Sequence, residues 1–336
     1  MRYRGESMKV LITGGLGYLG RNICYAMADE GIEAVVIDRL EDPCNYKLDG
    51  CVFHKGDFGD EAFIEKILDD NPDIEIVIHN AMVSAVAVSV VHPYDFYNQN
   101  VVKSMKFFHR LKQRGINKIV YASTASVYDS VRGFLVTERS PIKPRSPFAR
   151  SKYIMEMILR DYCDAYSMKV LALRYFNPIG ADNKCRKALP HKPGSNILER
   201  LVKILNYEER IFTIYGDDWD TRDGTCIRDF VHVTDLARAN ALAAINFDEA
   251  FKKASPSTNY IPLNIGSGLD VTVREFISAF ENVTREKVPV MIGPRRKGDI
   301  AGSYAGLAAA KKLIGWEPQF RVEDAIIDVL NYYELL

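Results

Sequence analysis

The stretch KVLITGGLGYLG, residues 9–20, limits what this chain can fold into more than any other segment. A short apolar run that ends in glycines reads as a buried parallel strand. Gly14, Gly17 and Gly20 follow at G-x-x-G-x-x-G spacing, and residues from about 17 to 30 have the pattern of a helix. Glycine is needed where a backbone turns sharply from strand to helix and closely approaches a pyrophosphate, with the helix N-terminus facing the anion. The next strand, EAVVIDR (33–39), carries Asp38 near its end. A carboxylate there accepts hydrogen bonds from the adenosine ribose and repels a 2′-phosphate. Strand, glycines, helix and acid together point to a bound dinucleotide, NAD in preference to NADP. Arg39, beside that carboxylate, is the feature that would suit the 2′-phosphate.

The same alternation continues. CVFHKGD (51–57), IEIVIHNA (74–81), KIVYAST (118–124) and KVLALRYFN (169–177) read as further strands. Helical stretches are expected at about 60–69, 94–114 and 147–166, the second stopped by Gly115. Strands alternating with helices imply right-handed βαβ units and a mostly parallel sheet. After Pro178 the pattern changes. Residues 180–196 read as loop, followed by a helix at about 197–206, strands at 211–216, 229–233 and 262–266, a helix at 234–247 and two C-terminal helices. These are expected to form a smaller α/β lobe.

Composition narrows the partners. Lys+Arg and Asp+Glu both total 44 in 336 residues, so the net charge is zero and gives no electrostatic reason to expect nucleic acid. Six cysteines at 24, 44, 51, 163, 185 and 226 include no CxxC pair. That spacing suggests neither a metal site nor a disulfide framework, and fits reduced thiols in the cytoplasm. No apolar run approaches the ~18 residues of a membrane span. The N-terminal MRYRGES reads as an extension ahead of Met8, not a signal sequence.

The chain resembles the extended short-chain dehydrogenase/reductases, and among them most closely the UDP-glucose 4-epimerase and UDP-N-acetylglucosamine 4-epimerase group. TGGLGYLG (13–20), HNA (79–81), STASVY (123–128), SPFARSK (146–152), LRYFNPIGA (173–181), DGTCIRDFVHVTDLA (223–237), LNIGSG (263–268), RRKGD (295–299) and GWEP (315–318) agree in order and spacing over nearly the whole length. The resemblance implies a Rossmann-type doubly wound parallel sheet with a smaller C-terminal α/β substrate lobe. It implies that residues 1–177, with 229–266 returning to them, bind NAD, and that 178–228 and 267–336 bind a nucleotide sugar. For the cofactor it implies Gly14, Gly17, Tyr18, Leu19, Asp38, Asp57, Phe58, Asn80, Ala81, Asn100, Lys152 and Tyr175. Asp57 also reads as an ordinary strand-end turn residue. For a UDP-sugar it implies Thr124, Asn177, Asn196, Arg228, Arg296, Asp299 and Ser303; arginine suits a diphosphate because its fork pairs with two oxygens. Ser303 stands where the family uses a bulky tyrosine to exclude an N-acetyl group, which favours UDP-N-acetylhexosamines or tolerance of both sugars. No metal is implied. A homodimer through the 94–114 and 147–166 helices is.

Thr124, Phe148 and Lys152 occupy the family's catalytic positions. The family has tyrosine at the second, and its phenol accepts the proton when the sugar C4 is oxidised. Four readings accommodate Phe148. The tyrosine has been replaced to trap an epimerase, or Thr124, Lys152 or a water carries the proton, or the site performs a related dehydration, or the chain binds NAD and UDP-sugar with little catalysis. Three neighbouring positions also depart from the family: Asp129 and Lys103 replace glycines, and Ser84 replaces a lysine.

Overall fold

The computed structural model describes residues 8–40, 50–186, 196–255, 257–296 and 298–336. The N-terminal extension, Cys44 and most of the 180–196 loop lie outside them. Seven strands form one sheet, in the order Tyr260–Ile265, Lys169–Tyr175, Lys118–Thr124, Ile74–His79, Lys9–Thr13, Glu33–Asp38 and Cys51–Lys55, every pair parallel. The chain leaves Lys9–Thr13 toward one edge and later returns on its other side as Ile74–His79. That reversal is the switch point at which open α/β sheets bind ligands.

The strands are apolar throughout because both faces are covered. Val10, Ile12 and Val36 pack with Ile23, Cys24 and Met27 of the helix Tyr18–Asp29. Leu11, Val35 and Ile37 face the opposite way, into a layer with Phe107, Phe108 and Leu111. Alternate residues of one strand thus serve two cores, as the period of two requires. A third core, around Leu198, Leu201, Phe230, Phe276, Phe280, Ile326 and Val329, belongs to the later part of the chain. There the short strands Val271–Thr272, Ile227–Arg228, Gly302–Ala305 and Leu135–Val136 form a second sheet.

The expected single helix at 94–114 is instead three pieces. Pro93–Tyr97 and Ser104–Gln113 are α-helical, and Asn98–Lys103 between them is a π-helical turn. Asn100 accounts for the difference: its side-chain amide accepts from the Val83 N–H at 2.9 Å and donates to the Val83 carbonyl at 3.0 Å. Anchoring that side chain to a neighbouring segment widens the turn that carries it, and such turns concentrate at functional sites. The helix Val86–Val91 and the helix Val273–Thr284, which opens with a capping box from Thr272 and Glu275, were not expected.

The helix Pro147–Tyr166 starts cleanly. Ser146 caps it by accepting from Ala149 N–H at 3.1 Å, and Pro147 fills the first position. Phe148, Ser151, Lys152, Met155, Glu156 and Leu159 make its buried stripe at helical spacing. Glu156 receives two bonds from Arg174, at 3.0 and 2.7 Å, and one from the Ser123 hydroxyl at 2.5 Å. Arg174 also donates to Tyr128 Oη at 2.7 Å, which donates to Asn264 at 2.8 Å. Glu156 and Arg174 are 0% and 1% exposed. Replacing one partner of a buried pair leaves the other charge unsatisfied, so Arg174→Met should cost about 3–5 kcal/mol in urea denaturation. Arg160, 3.6 Å from Glu156, is partly exposed and offsets little of that. A loss below about 1 kcal/mol would show the pair to be dispensable.

Candidate active site

At the switch point the backbone of the glycine loop leaves no space for a side chain at Gly14, Gly15 or Gly20. A Cβ on Gly20 would lie 2.0 Å from the Gly14 carbonyl oxygen, and Gly14 itself has φ of +73° with Ala81 Cα 2.7 Å from where its Cβ would be. A Cβ on Gly17 would meet only the Gly14 oxygen, at 3.6 Å, so the loop is bare on that side. Gly17 precedes the helix Tyr18–Asp29, whose first turn has neither a capping side chain nor an acidic residue. Its N–H groups are therefore left for an anion. Asp38 accepts from Leu16 N–H at 2.9 Å and Leu40 N–H at 3.0 Å, which fixes its carboxylate beside the loop. Asn80 donates to the Gly14 carbonyl at 3.4 Å, while its own amide oxygen is buried without a partner. A cradle of bare backbone, a ribose-side acid and an unsatisfied acceptor fit a dinucleotide.

The rest of the implied cofactor set is placed around this loop in several ways. Tyr18 donates to the Gly180 carbonyl at 2.8 Å and so ties the first helix to the later part of the chain. Leu19 packs against the core. The Phe58 ring points inward, 4.9 Å from His79 and 5.8 Å from Phe107. Tyr175 donates to Asn240 at 2.8 Å, and burial pushes its phenol well up. Asp57 pairs with Lys103, accepts from Gly59 N–H at 2.8 Å and lies 3.9 Å from Arg39. Burial acts to raise the Asp57 carboxyl, but the bonds from Lys103 and the Gly59 N–H, with the charges of Lys103 and Arg39, together hold the group below its usual range. Lys103 thus has a structural partner, which its place in the sequence did not disclose.

The reacting centre is built on two elements. Thr124 ends the central strand Lys118–Thr124, where its oxygen accepts from Ser126 N–H at 3.1 Å. Its hydroxyl proton is left to donate. Phe148 and Lys152 lie one turn apart on the buried face of the neighbouring helix. The Phe148 ring meets Phe96 edge-on at 6.4 Å. Asn100, besides holding Val83, donates to Ser151 Oγ at 3.1 Å, and that hydroxyl donates to the Phe148 carbonyl at 2.8 Å. Asn100 therefore sets the helix turn that carries both Phe148 and Lys152.

Lys152 is 1% exposed. Its ammonium stands 4.2 Å from the centre of the Tyr121 ring, a cation–π contact between distant segments that local pattern does not reveal. Burial pulls its pKa down to about 7, against the opposing pull of Glu156. His79, bonded on either side to Thr13 Oγ1 at 2.8 Å and Ser104 Oγ at 2.9 Å, is held neutral by burial and by the charge of Lys152. Two other hydroxyl and carboxylate groups near the centre are already engaged: Ser123 with Glu156, and Asp129 with Arg145 at 2.6 Å.

The implied nucleotide residues come together only in part. Asp299 accepts from Arg296 at 3.0 Å and lies 4.0 Å from Arg228, while Arg296 stacks 4.6 Å from the Tyr215 ring. Arg228 and Ser303 are paired in register on adjacent strands. This group is held by the buried Asp229, whose carboxylate accepts from Ser267 N–H, Ser267 Oγ, Gly268 N–H and Ala305 N–H at 2.5–3.0 Å. Asn177 donates to the Asp229 carbonyl at 2.8 Å. Asn196 caps the helix Ile197–Leu205 by accepting from Glu199 N–H at 2.9 Å. Among the described residues no cluster of His, Cys, Asp and Glu is arranged to hold a metal, and no helix is long and apolar enough to cross a membrane.

Lys152 is the one member of the centre whose burial opposes folding. Its pKa is about 7 in the fold, and an unfolded lysine stays protonated until about 10.4. The unfolded chain therefore holds the extra proton between those values, and stability rises with pH across that window. Lys152→Met should raise the thermal midpoint at pH 6, and the gain should shrink as pH climbs from 7 to 10. A gain independent of pH would mean that Lys152 is not desolvated as described.

The sequence pattern of the NAD dependent epimerase/dehydratase family matches residues 10–260. The UDP-glucose 4-epimerase of Halalkalibacterium halodurans is 33% identical over 322 residues, covering 96% of this chain and 94% of that one. The Bacillus subtilis UDP-glucose 4-epimerase is 32% identical over 331 residues, covering 96% and 95%. Among solved structures, UDP-glucose-4-epimerase from Stenotrophomonas maltophila with bound NAD and formylated UDP-arabinopyranose has a TM-score of 0.88 at 30% identity, covering 97% of this chain and 98% of that one. The UDP-Glc/GlcNAc 4-epimerase of Campylobacter jejuni has a TM-score of 0.81 at 27% identity, covering 98% and 100%. With a doubly wound sheet, a glycine cradle at its switch point and UDP-glucose 4-epimerase relatives matched end to end, the chain belongs to the NAD-dependent epimerase/dehydratase family.

Proposed function

We propose that this protein interconverts the C4 epimers of a UDP-hexose or UDP-N-acetylhexosamine. The observation that carries the reading is the placement of Thr124 at the end of the central strand beside the helix turn that presents Phe148 and Lys152. NAD, held by the glycine loop and Asp38, would supply reversible hydride-transfer chemistry at the sugar C4. Thr124 donates to the C4 oxygen and orients it. Lys152, close to half deprotonated at neutral pH, takes the proton directly or through a water, the role a phenol at position 148 would otherwise share. Phe148 keeps the apolar wall. Asp38 and the glycine loop hold the adenosine and pyrophosphate, and Arg228, Arg296 and Asp299 hold the uridine diphosphate. Residues 1–177 with 229–266 form the cofactor part, and 178–228 with 267–336 the sugar-nucleotide part.

Exposed apolar side chains on the helices flanking the centre support a homodimer: Val91 is 71% exposed, Tyr94 76% and Met157 45%. The cysteine pattern supports a cytoplasmic location. A second reading, NAD- and UDP-sugar binding with little turnover, is favoured by the missing hydroxyl at 148.

Purified protein with NAD should convert UDP-glucose or UDP-GlcNAc to its C4 epimer, and Phe148→Tyr should raise that rate by ~10² to 10⁴-fold, the usual worth of a positioned acid–base group. Absence of epimer from both proteins would sink the proposal, and a product lighter by one water would make the reaction a dehydration. Ser303→Tyr should reduce kcat/KM for the N-acetylated pair about tenfold or more relative to the glucose pair. Equal loss on both would remove Ser303 as the size gate.

A further inference from the structure

Buried charges are ordinarily paired with an opposite charge or hydrogen-bonded. Among the described residues no hydrogen bond or ion pair holds the buried Lys152 ammonium, and what it meets is the face of the Tyr121 ring, 4.2 Å from its centre. Lysine carries its charge on a flexible four-carbon stem, so the place of the charge is set by what it meets. The Tyr121 ring is itself immobilised. It is fully buried on Lys118–Thr124, a strand paired on both sides. Phe108 meets it edge-on at 6.1 Å, and the ring of His79, its register partner on the next strand, lies nearly parallel at 6.2 Å. His79 is fixed in turn by Thr13 and Ser104.

The Tyr121 hydroxyl is buried without a hydrogen-bond partner, so the polar end of the residue anchors nothing and the ring face makes the contact. Tyr121 also stands on the strand that ends three residues later in Thr124. One rigid element thus carries both the hydroxyl donor of the centre and the surface that meets the lysine. The other titratable groups near the ammonium act differently. Glu156, one turn along the same helix, favours the charged form from beyond ion-pair distance, and His79 is kept neutral.

We infer that Tyr121 is a positioning residue of the reacting centre: its ring face holds the Lys152 ammonium and so fixes it relative to Thr124. The negative face of an aromatic ring attracts an ammonium and has no such attraction for a neutral amine. The hold therefore strengthens as the Lys152 amine takes the proton of the sugar C4 hydroxyl, and an interaction that grows along the reaction lowers its barrier. This catalytic part rests on the epimerase reading above; the contact itself does not.

A double-mutant cycle in urea denaturation tests the contact without turnover. Lys152→Met, Tyr121→Leu and the double variant should be coupled at pH 6 by about 3- to 30-fold in the unfolding equilibrium constant, the worth of a cation–π contact. The coupling should vanish at pH 9, where burial leaves the folded lysine neutral. Tyr121→Phe keeps the ring and should show no coupling to Lys152→Met at either pH. If Tyr121→Leu does not fold, Tyr121→Met, which is unbranched and adaptable, takes its place in the cycle. In turnover, the acid-side midpoint of the kcat–pH profile should fall by about 0.4–1.5 pH units in Tyr121→Leu and stay in place in Tyr121→Phe, with KM for the UDP-sugar unchanged. Coupling that is absent at pH 6, or equal at the two pH values, would overturn the inference. An unmoved midpoint in Tyr121→Leu would overturn its catalytic part. Absence of epimer from every protein would overturn the epimerase reading, and the cycle would still decide whether the ring holds the lysine.

Discussion

The Glu156–Arg174 pair is the interaction on which the candidate centre depends. It is sealed from water, so neither charge has an alternative partner in solvent, and both must be satisfied inside. The satisfaction is distributed. Ser123 binds from the strand that ends in Thr124, Arg174 is two strands' width of hydrogen bonding in one side chain, and Tyr128 and Asn264 extend the chain to the edge strand. Glu156 sits one helical turn beyond Lys152, which sits one turn beyond Phe148. Three residues spaced by four thus combine an anchor, a desolvated amine and an apolar wall on one face. The helix is unable to slide or rotate without breaking the anchor, and the geometry between Thr124 and Lys152 is fixed as a consequence.

The cofactor end follows a different logic, steric where the centre is ionic. Gly14 and Gly20 allow the loop to lie on Ala81 and on itself, and the helix that follows begins without a cap of its own. Electrostatics enters at the adenosine side. Asp38 is held by backbone N–H groups, whereas Asp57 is tied to Lys103 and approached by Arg39. Arg39, the residue that suited a 2′-phosphate, is thus turned partly toward a carboxylate of the protein itself. This agrees with the family's use of NAD.

The parallel sheet and the glycine loop were legible because each rests on local pattern: apolar runs of strand length, glycines at the turn, an acid near the end of the next strand. The buried stripe of the 147–166 helix was legible for the same reason. What escaped was held by contacts between distant segments. The π-turn at Asn98–Lys103 depends on Asn100 reaching Val83, and helical periodicity is silent about that. Tyr121 reads as one more strand aromatic, although its ring lies beneath the Lys152 ammonium. Lys103 and Asp129 read as departures from a family pattern, and only the fold reveals that each belongs to an ion pair, with Asp57 and with Arg145. Asn196 shows the converse: a residue singled out for a ligand also serves as an ordinary helix cap.

These contacts bear on what the phenylalanine removes. A tyrosine at 148 would differ by one hydroxyl, and the ring already packs edge-on against Phe96 in a wall closed to water. The fold therefore does not depend on that hydroxyl, and what it would have supplied is a proton acceptor whose pKa is lowered by the neighbouring ammonium. Without it, the same burial acts on Lys152 alone. Burial in a low-dielectric interior disfavours the ammonium and pulls its pKa down to about 7, against the opposing pull of Glu156. A buried amine near neutrality is itself a competent base. In the proposed reading, the proton chemistry of the missing phenol passes one helical turn along, to a residue on the same buried face as Glu156.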